Sequence, residues 1–543
     1  MHLAPRIAVP AIGLTLLAVL SGCVSVSSES VSDDSSSTIT VGTTDKVTAV
    51  DPAGSWDTGS WAVQSNAFGM LMNFRPGSTK PEPDLAESAE FTTPTTYTVK
   101  LKSGEKFSNG DALTSSDVKF SFERMVGIAD VNGPSSLLSN MKSIATPDDQ
   151  TVVFTLKQAD DQLWPQVLSS PAGFVLDEDV FSATKLTSNA DIVKGSAFSG
   201  QYRLKAYTDG QIASYVANTN YDGLLGKART KNILVSYYTN ATDLRLDVAD
   251  GKVDVAWRAL AASDVVSLAK NKDVTVHTGP GSDLRFVVFN FDTMPFGKKT
   301  DDPDAAKALA VRQAVADVVD RAAIAKDVYK DTFSPSYSVV PAGLASSIDA
   351  YKTAYGDGEG GPDIAKAKAT LEAAGITDKV EINLQFNTDH YGATSSDEYA
   401  ELADQLTNSG LFAASTQSTL WEQYLKDISA GDYPLFQLGW SADYPDSDNY
   451  LNVINDPVDA PAFINNDVHD SKLNTLIADE KVEPDAAARA KLIEDAQTRA
   501  AEILPTLPLL QGKLVAVAGT DVTGVDSTLD SSNRFRFGVL GKQ

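Results

Sequence analysis

The sequence predicts a mixed α/β fold divided between more than one lobe. Stretches that alternate polar and apolar residues, as half-buried strands do, interleave with stretches whose apolar residues return every three or four positions, as they do on one-sided helices. No internal repeat orders them. The 543 residues, 42% hydrophobic and 22% charged, have globular composition and material for about three domain-sized units.

The N-terminus is a separate matter. A largely apolar run from Ile7 to Leu20 follows Arg6. It is shorter than the roughly 20 residues a spanning helix needs, so it reads as a secretory signal peptide with a basic flank. Leu20-Ser21-Gly22-Cys23 resembles the lipobox of bacterial lipoproteins, which implies a diacylglycerol thioether on Cys23 and a new N-terminus there. The alternative is an ordinary signal peptide with an incidental cysteine, against which stands the fact that Cys23 is the only cysteine of the chain. Residues 24–37 hold eight serines and no aromatic, and cannot bury enough surface to offset their ordering entropy. They read as a tether reaching roughly 46 Å when extended.

The body starts at Thr38. Thr38 to Gly42, Tyr97 to Leu101 and Thr151 to Leu156 alternate at period two and are predicted strands. Asn109-Gly110 is a turn dipeptide, and Thr114 or Ser115 can cap a helix whose first turn carries Asp117. Val311, Val315, Val318 and Ala322 predict one helix from Asp304 to Tyr329. Another is predicted from Asp363 to Ala374, stopped by Gly375, and a third from beyond Pro484 to Leu504.

Several function classes fall away. With 72 Asp and Glu against 45 Lys and Arg, the net charge of −27 disfavours nucleic acid or an anionic lipid surface as partner. One cysteine and four histidines (His2, His277, His390, His469) leave no internal disulfide and no His/Cys metal site to expect. Gly356-Asp-Gly-Glu-Gly-Gly361 satisfies the letter of a dinucleotide fingerprint, but no strand precedes it and Pro362 follows, so it reads as a loop. Phosphate-loop, nucleophile-elbow and HExxH patterns do not occur. Asp443, Asp446 and Asp448 lack the glycine and terminal glutamate of a calcium loop. No enzyme, metal or cofactor is expected.

What remains is a series of segments in one order: Thr44; Val50-Asp51-Pro52-Ala53; Tyr97 through Gly110 and Leu113 through Phe122; Gly200-Gln201-Tyr202; Asn218 through Tyr221; Gly251 through Ala256; Phe289-Asn290, Pro295-Phe296, Val311 through Val315 and Asp320 through Ile324; and Gly439-Trp440-Ser441-Ala442-Asp443-Tyr444-Pro445-Asp446. Together they resemble family 5 of the bacterial extracellular solute-binding proteins, the dipeptide- and oligopeptide-binding lipoproteins of ABC importers.

The resemblance implies a bilobal periplasmic-binding-protein-like fold of type II with an extra subdomain, its two lobes joined by a hinge. Lobe I would comprise 38–80, 190–276 and 500–543, the inserted subdomain 81–189 and lobe II 277–499, with chain crossings near 277 and 500. It further implies that Asp443 pairs with a ligand α-ammonium, and that Gly439, Trp440 and Ser441 offer backbone groups to an extended peptide. Thr44 and Asp45 would line the cleft from the opposite lobe. Trp440 could equally stack on ligand or pack in the core, and for Trp56, Trp61, Trp257 and Trp421 the core is the more frequent fate of large aromatics. One departure stands out. Dipeptide-specific relatives hold the ligand carboxylate with an arginine where this chain has Ser395 through Glu401, and no arginine occurs between Arg321 and Arg489. That points to a longer peptide or another amine-bearing ligand. The expected partners are a peptide, an ABC permease and the membrane through the lipid on Cys23, with no nucleic acid, and the chain is expected as a monomer outside the cytoplasm. The alternatives are a surface peptide-signal receptor, or an importer component for an oligosaccharide, nickel chelate or opine.

Overall fold

A computed structural model describes residues 38–258, 260–454 and 464–543. The expected signal peptide, the expected lipidation site Cys23 and the expected tether 24–37 lie outside the described residues.

The first strand, Thr38–Thr43, buries Ile39 and Val41 and pairs in parallel with Asn232–Tyr237 on one side and Val255–Trp257 on the other. Ile212–Ala217 and Tyr202–Thr208 extend this sheet as an antiparallel meander. Over its face pack Phe68, Tyr202, Tyr215, Trp257, Phe535 and Phe537, the centre of one core. A second core lies on Val380–Phe386, which runs parallel to both Phe412–Ser418 and Leu435–Trp440; helices Ala305–Val318, Ser395–Asn408 and Ala486–Ile503 cover it. The third is a four-stranded antiparallel sheet of Ala86–Thr93, Thr96–Leu101, Thr151–Leu156 and Met141–Asp148, closed by helix Ser115–Ile128 and by Phe107, Phe154 and Trp164. Thr114 caps that helix, and the Asp117 side chain returns the bond to the Thr114 backbone, a full capping box.

Two long strands, Val274–Phe289 and Thr506–Gly519, run antiparallel to each other and join the strands of the first and second cores into one continuous 11-stranded sheet. Residues 274–280 and 513–519 pair with each other beside the first core, whereas 284–289 pair with 506–511 and with Leu435–Trp440 beside the second. Their register breaks between Pro280 and Leu284. A Cβ on Gly281 would overlap the Gly512 carbonyl, so the strands cross this closely only because residue 281 has no side chain. Gly281→Ala is expected to force the strands apart and destabilise the fold by about 1–3 kcal/mol, read as a lower urea midpoint.

The helix expected over Asp304 to Tyr329 is two. The first ends at Val318; Val319 is extended, Asp320 caps a new turn at the Ala323 amide, and Ile324–Val328 widens into a π-turn. Tertiary contacts override the periodicity. The Gln405 side chain takes both backbone polar groups of Asp320, at 2.8 and 3.2 Å, and Arg321 donates to the Pro508 carbonyl at 2.7 Å. The other two helices fall where periodicity and caps place them, at Ile364–Ala373 and Ala486–Ile503. Among the described residues no helix is long and apolar enough to cross a membrane.

Candidate functional site

Strand Leu435–Trp440 ends at the boundary between the cores, and the turn after it carries Asp443 back across that boundary. The Asn449 side chain fixes the turn. Its Oδ1 accepts from the Trp440 indole at 2.8 Å and from the Asp443 amide at 3.2 Å, while its Nδ2 donates to Asp443 Oδ2 at 3.3 Å. From the other lobe Trp56 donates its indole N–H to Asp443 Oδ1 at 2.7 Å. Every hydrogen-bond donor to this carboxylate is neutral, and among the described residues no Lys, Arg or His nitrogen lies within 4.0 Å of it. Burial raises its pKa above the ordinary aspartate value, against the pull of Trp56 and Asn449. A desolvated carboxylate held by neutral donors is a receptor for a cation.

Across from Asp443 stand Trp61 and Ala62 of helix Thr58–Ala67 and, from the C-terminal segment, Ser532, Asn533 and Arg534. The space between the walls is about 30 Å³, enough to admit water as the walls now stand. Around it the turn packs against the third sheet, since Tyr444, next to Asp443, is buried in that sheet's core. The Trp61 indole N–H is buried without a partner beside this space.

Gly439 pairs with Arg285 of the long strand, and its amide donates to the Tyr391 hydroxyl at 2.8 Å. The Arg285 guanidinium lies 4.2 Å from the Tyr391 ring centroid and pairs with Asp283 at 2.9 Å. A Cβ at position 439 would strike both Arg285 and Tyr391, so this glycine is explained by what packs on it. Trp440 is half-buried against the second core, and Ser441 is exposed at the interlobe space. Thr44 is half-buried at the end of the first strand. Asp45 follows; it faces Arg258 at 3.5 Å, and burial raises its carboxyl pKa while its Oδ2 stays unpartnered. It borders an adjoining apolar space that shares Ala62 with the first. Of the four remaining tryptophans weighed, Trp56 reaches Asp443 and Trp61 lines the space. Trp257 stacks on Phe535 in the core, and Trp421 on His390 in the second lobe. The sequence reading singled out none of Asn449, Arg285, Tyr391 and Arg534, and local pattern offers no signal for the last three.

The aspartates that follow turn inward. Asp446 takes a two-pronged pair from Arg489, at 2.8 and 3.1 Å, and Asp448 lies 3.5 Å from Lys481. Glu480, fully buried, also binds Arg489 at 2.8 Å. Burial, with the Asp448 charge beside it, pushes the Glu480 carboxyl up to about 9. A folded pKa above the unfolded 4.5 gives stability that is full below about 4.5 and lost as pH rises through about 9. Glu480→Gln, which mimics the protonated acid, is therefore expected to flatten the fall in melting temperature across that window.

A family model described as "Bacterial extracellular solute-binding proteins, family 5 Middle" matches residues 80–461. Di/tripeptide-binding protein 1 of Pseudomonas aeruginosa is 26% identical over 475 residues, spanning 82% of this chain and 84% of that protein. Among solved structures, a periplasmic murein tripeptide-binding protein in its unliganded open form superposes with a TM-score of 0.78 at 16% identity, over 93% of this chain and 97% of the other. An ABC transporter-associated periplasmic binding protein from Helicobacter pylori, in complex with the peptide STSA, superposes with a TM-score of 0.68 at 19% identity, over 93% and 98%.

Proposed function

The chain belongs to the bacterial extracellular solute-binding proteins, family 5, and on that premise we propose that it captures peptides between its lobes and delivers them to an ABC permease. It is a binding protein and not an enzyme, and it acts outside the cytoplasm. The observation that carries the peptide reading is Asp443, a carboxylate at the lobe boundary whose donors are all neutral and whose missing cation an N-terminal ammonium supplies. The names of the di/tripeptide-binding relative and of the peptide complex support the same choice. A neutral sugar has no use for such an anion.

In this reading Gly439, Trp440 and Ser441 lie along the bound backbone, with Thr44 and Asp45 facing them from the first lobe. Tyr391 gives up the Gly439 amide to a ligand carbonyl. The division we propose is lobe I (38–80, 190–276 and 500–543), an inserted subdomain (81–189) and lobe II (277–499), although Leu504, Leu507 and Leu510 pack in the second core and Phe174 and Phe181 in the first. The pivot lies where the long strands lose register, at 280–284 opposite 511–513. Lobe closure follows ligand binding because the ligand touches both walls only in the closed state. Lipid on Cys23 and the serine-rich tether hold a monomer at the membrane, with oligopeptides preferred over strict dipeptides.

The test is native mass spectrometry of protein lacking residues 1–23, before and after exposure to a mixed peptide pool. Bound peptides of varied sequence, released and sequenced, are the expected result. A clean unliganded mass with no uptake would remove peptides as the ligand.

A further inference from the structure

The interlobe space that Asp443 borders has a second charged wall. Arg534, from the C-terminal segment of the first lobe, lines the same space. Its Nη1 donates to Asn73 Oδ1 at 2.7 Å, its Nη2 donates to the Ser169 carbonyl, and the guanidinium lies 4.9 Å from the Phe74 ring centroid. All of these partners are neutral. Among the described residues no carboxylate oxygen lies within 4.0 Å of Arg534, and the nearby Asp530 is taken by Arg536 at 2.7 Å. Burial, and then the charge of Arg536, pull the Arg534 pKa down to about 9.

A half-buried arginine with no carboxylate in contact is unexpected in a chain with 27 more acidic than basic side chains. Arg124, Arg489 and Arg536 each have a carboxylate. Arg312 and Arg321 do not, but they donate to the Ile503 and Pro508 carbonyls inside the second lobe. Arg534 alone of these six borders the space that Asp443 borders. One wall thus holds an anion without a cation, and the other a cation without an anion.

We propose that Arg534 is a specificity-determining residue of the ligand site, and that the ligand carries an anionic group close to the amine that Asp443 receives. The inference rests on the peptide reading. The anion is a carboxylate from one of two sources: the C-terminus of a very short peptide, or an acidic side chain in the first residues of a longer one. The consequence is mechanical. Ammonium on the second lobe and carboxylate on the first make the ligand a bridge, so both ion pairs exist only when the lobes are closed, and this differential contact drives closure.

The experiment measures affinity by calorimetry for two matched pairs, Ala-Ala against Ala-Ala-amide and Asp-Ala-Ala-amide against Asn-Ala-Ala-amide, with the wild type, Arg534→Gln and Arg534→Lys. In at least one pair the wild type is expected to favour the acid by about tenfold or more. The first pair responding identifies the C-terminus, the second the side chain. Arg534→Gln brings that ratio near one while leaving the amide ligand's affinity within about threefold, and Arg534→Lys restores part of the preference. Equal weakening of acid and amide ligands in Arg534→Gln, or no acid preference in the wild type, would overturn the inference and leave the peptide reading standing. If the wild type binds no peptide, the peptide reading fails, and a series of linear ω-amino acids decides the inference. Binding lost in Arg534→Gln upholds it, and no binding overturns it too.

Discussion

Arg124→Met is expected to lower the stability of the protein by about 3–5 kcal/mol, because it strands a buried carboxylate. Arg124 grips Asp51 with both guanidinium arms, at 2.9 and 2.5 Å, and both side chains are 1% exposed. Asp51 also accepts from the Ala53 amide at 3.0 Å, capping the short turn Pro52–Gly54, and from the Thr187 amide at 2.7 Å. The pair joins the turn after the first strand to the helix of the third sheet, so its loss loosens the joint between them. Thioether volume replaces the stem of the arginine but none of its donors. The double variant Asp51→Asn with Arg124→Met should recover part of the loss, since the stranded charge is gone. The check is urea denaturation followed at more than one probe, because a molecule with three cores need not unfold in one step. A single-variant loss below about 1 kcal/mol would mean that water reaches Asp51 after substitution.

Asp443→Asn is expected to weaken peptide binding by roughly 30- to 4,000-fold, the equivalent of about 2–5 kcal/mol for breaking an enclosed ion pair. Its effect on the unliganded fold should run the other way. Because burial raises the Asp443 pKa, ionisation works against the fold: the stabilising contribution is present below 3.8 and lost as pH rises through the higher folded value. The asparagine variant, which cannot ionise, should thus be at least as stable as the wild type at neutral pH while failing to bind. Affinity of the wild type should fall in acid, where the carboxyl takes up its proton. A variant that loses stability and affinity together would make Asp443 a structural residue.

The local half of this structure was legible in the sequence, and the tertiary half was not. Thr114 with Asp117 announces a capped helix because the capping box is closed within four residues. The helix predicted through Asp320 fails because what breaks it, Gln405, lies 85 residues away. The same division runs through the site. Gly439 through Asp443 is a contiguous segment that a resemblance can carry, but the donor to Asp443 from the other lobe, Trp56, is 387 residues earlier. Nothing in the pattern around Trp56 separates it from a core aromatic. The resemblance assigns Gly439 to the ligand's backbone, whereas its lack of a side chain is required by Arg285 and Tyr391, which the chain delivers from a long strand and a loop. Arg534 lies in a C-terminal segment without helical or strand periodicity, and only the fold sets it opposite an acid.

If Asp443 reads a ligand's amino terminus, blocking that terminus removes the group it binds. Calorimetry would set a peptide recovered from the native protein against the same peptide N-acetylated, in the wild type and in Asp443→Asn. Acetylation is expected to abolish most of the wild-type affinity, and Asp443→Asn to bind both forms weakly and alike. Equal affinity of the wild type for the free and acetylated peptides would contradict that role of Asp443.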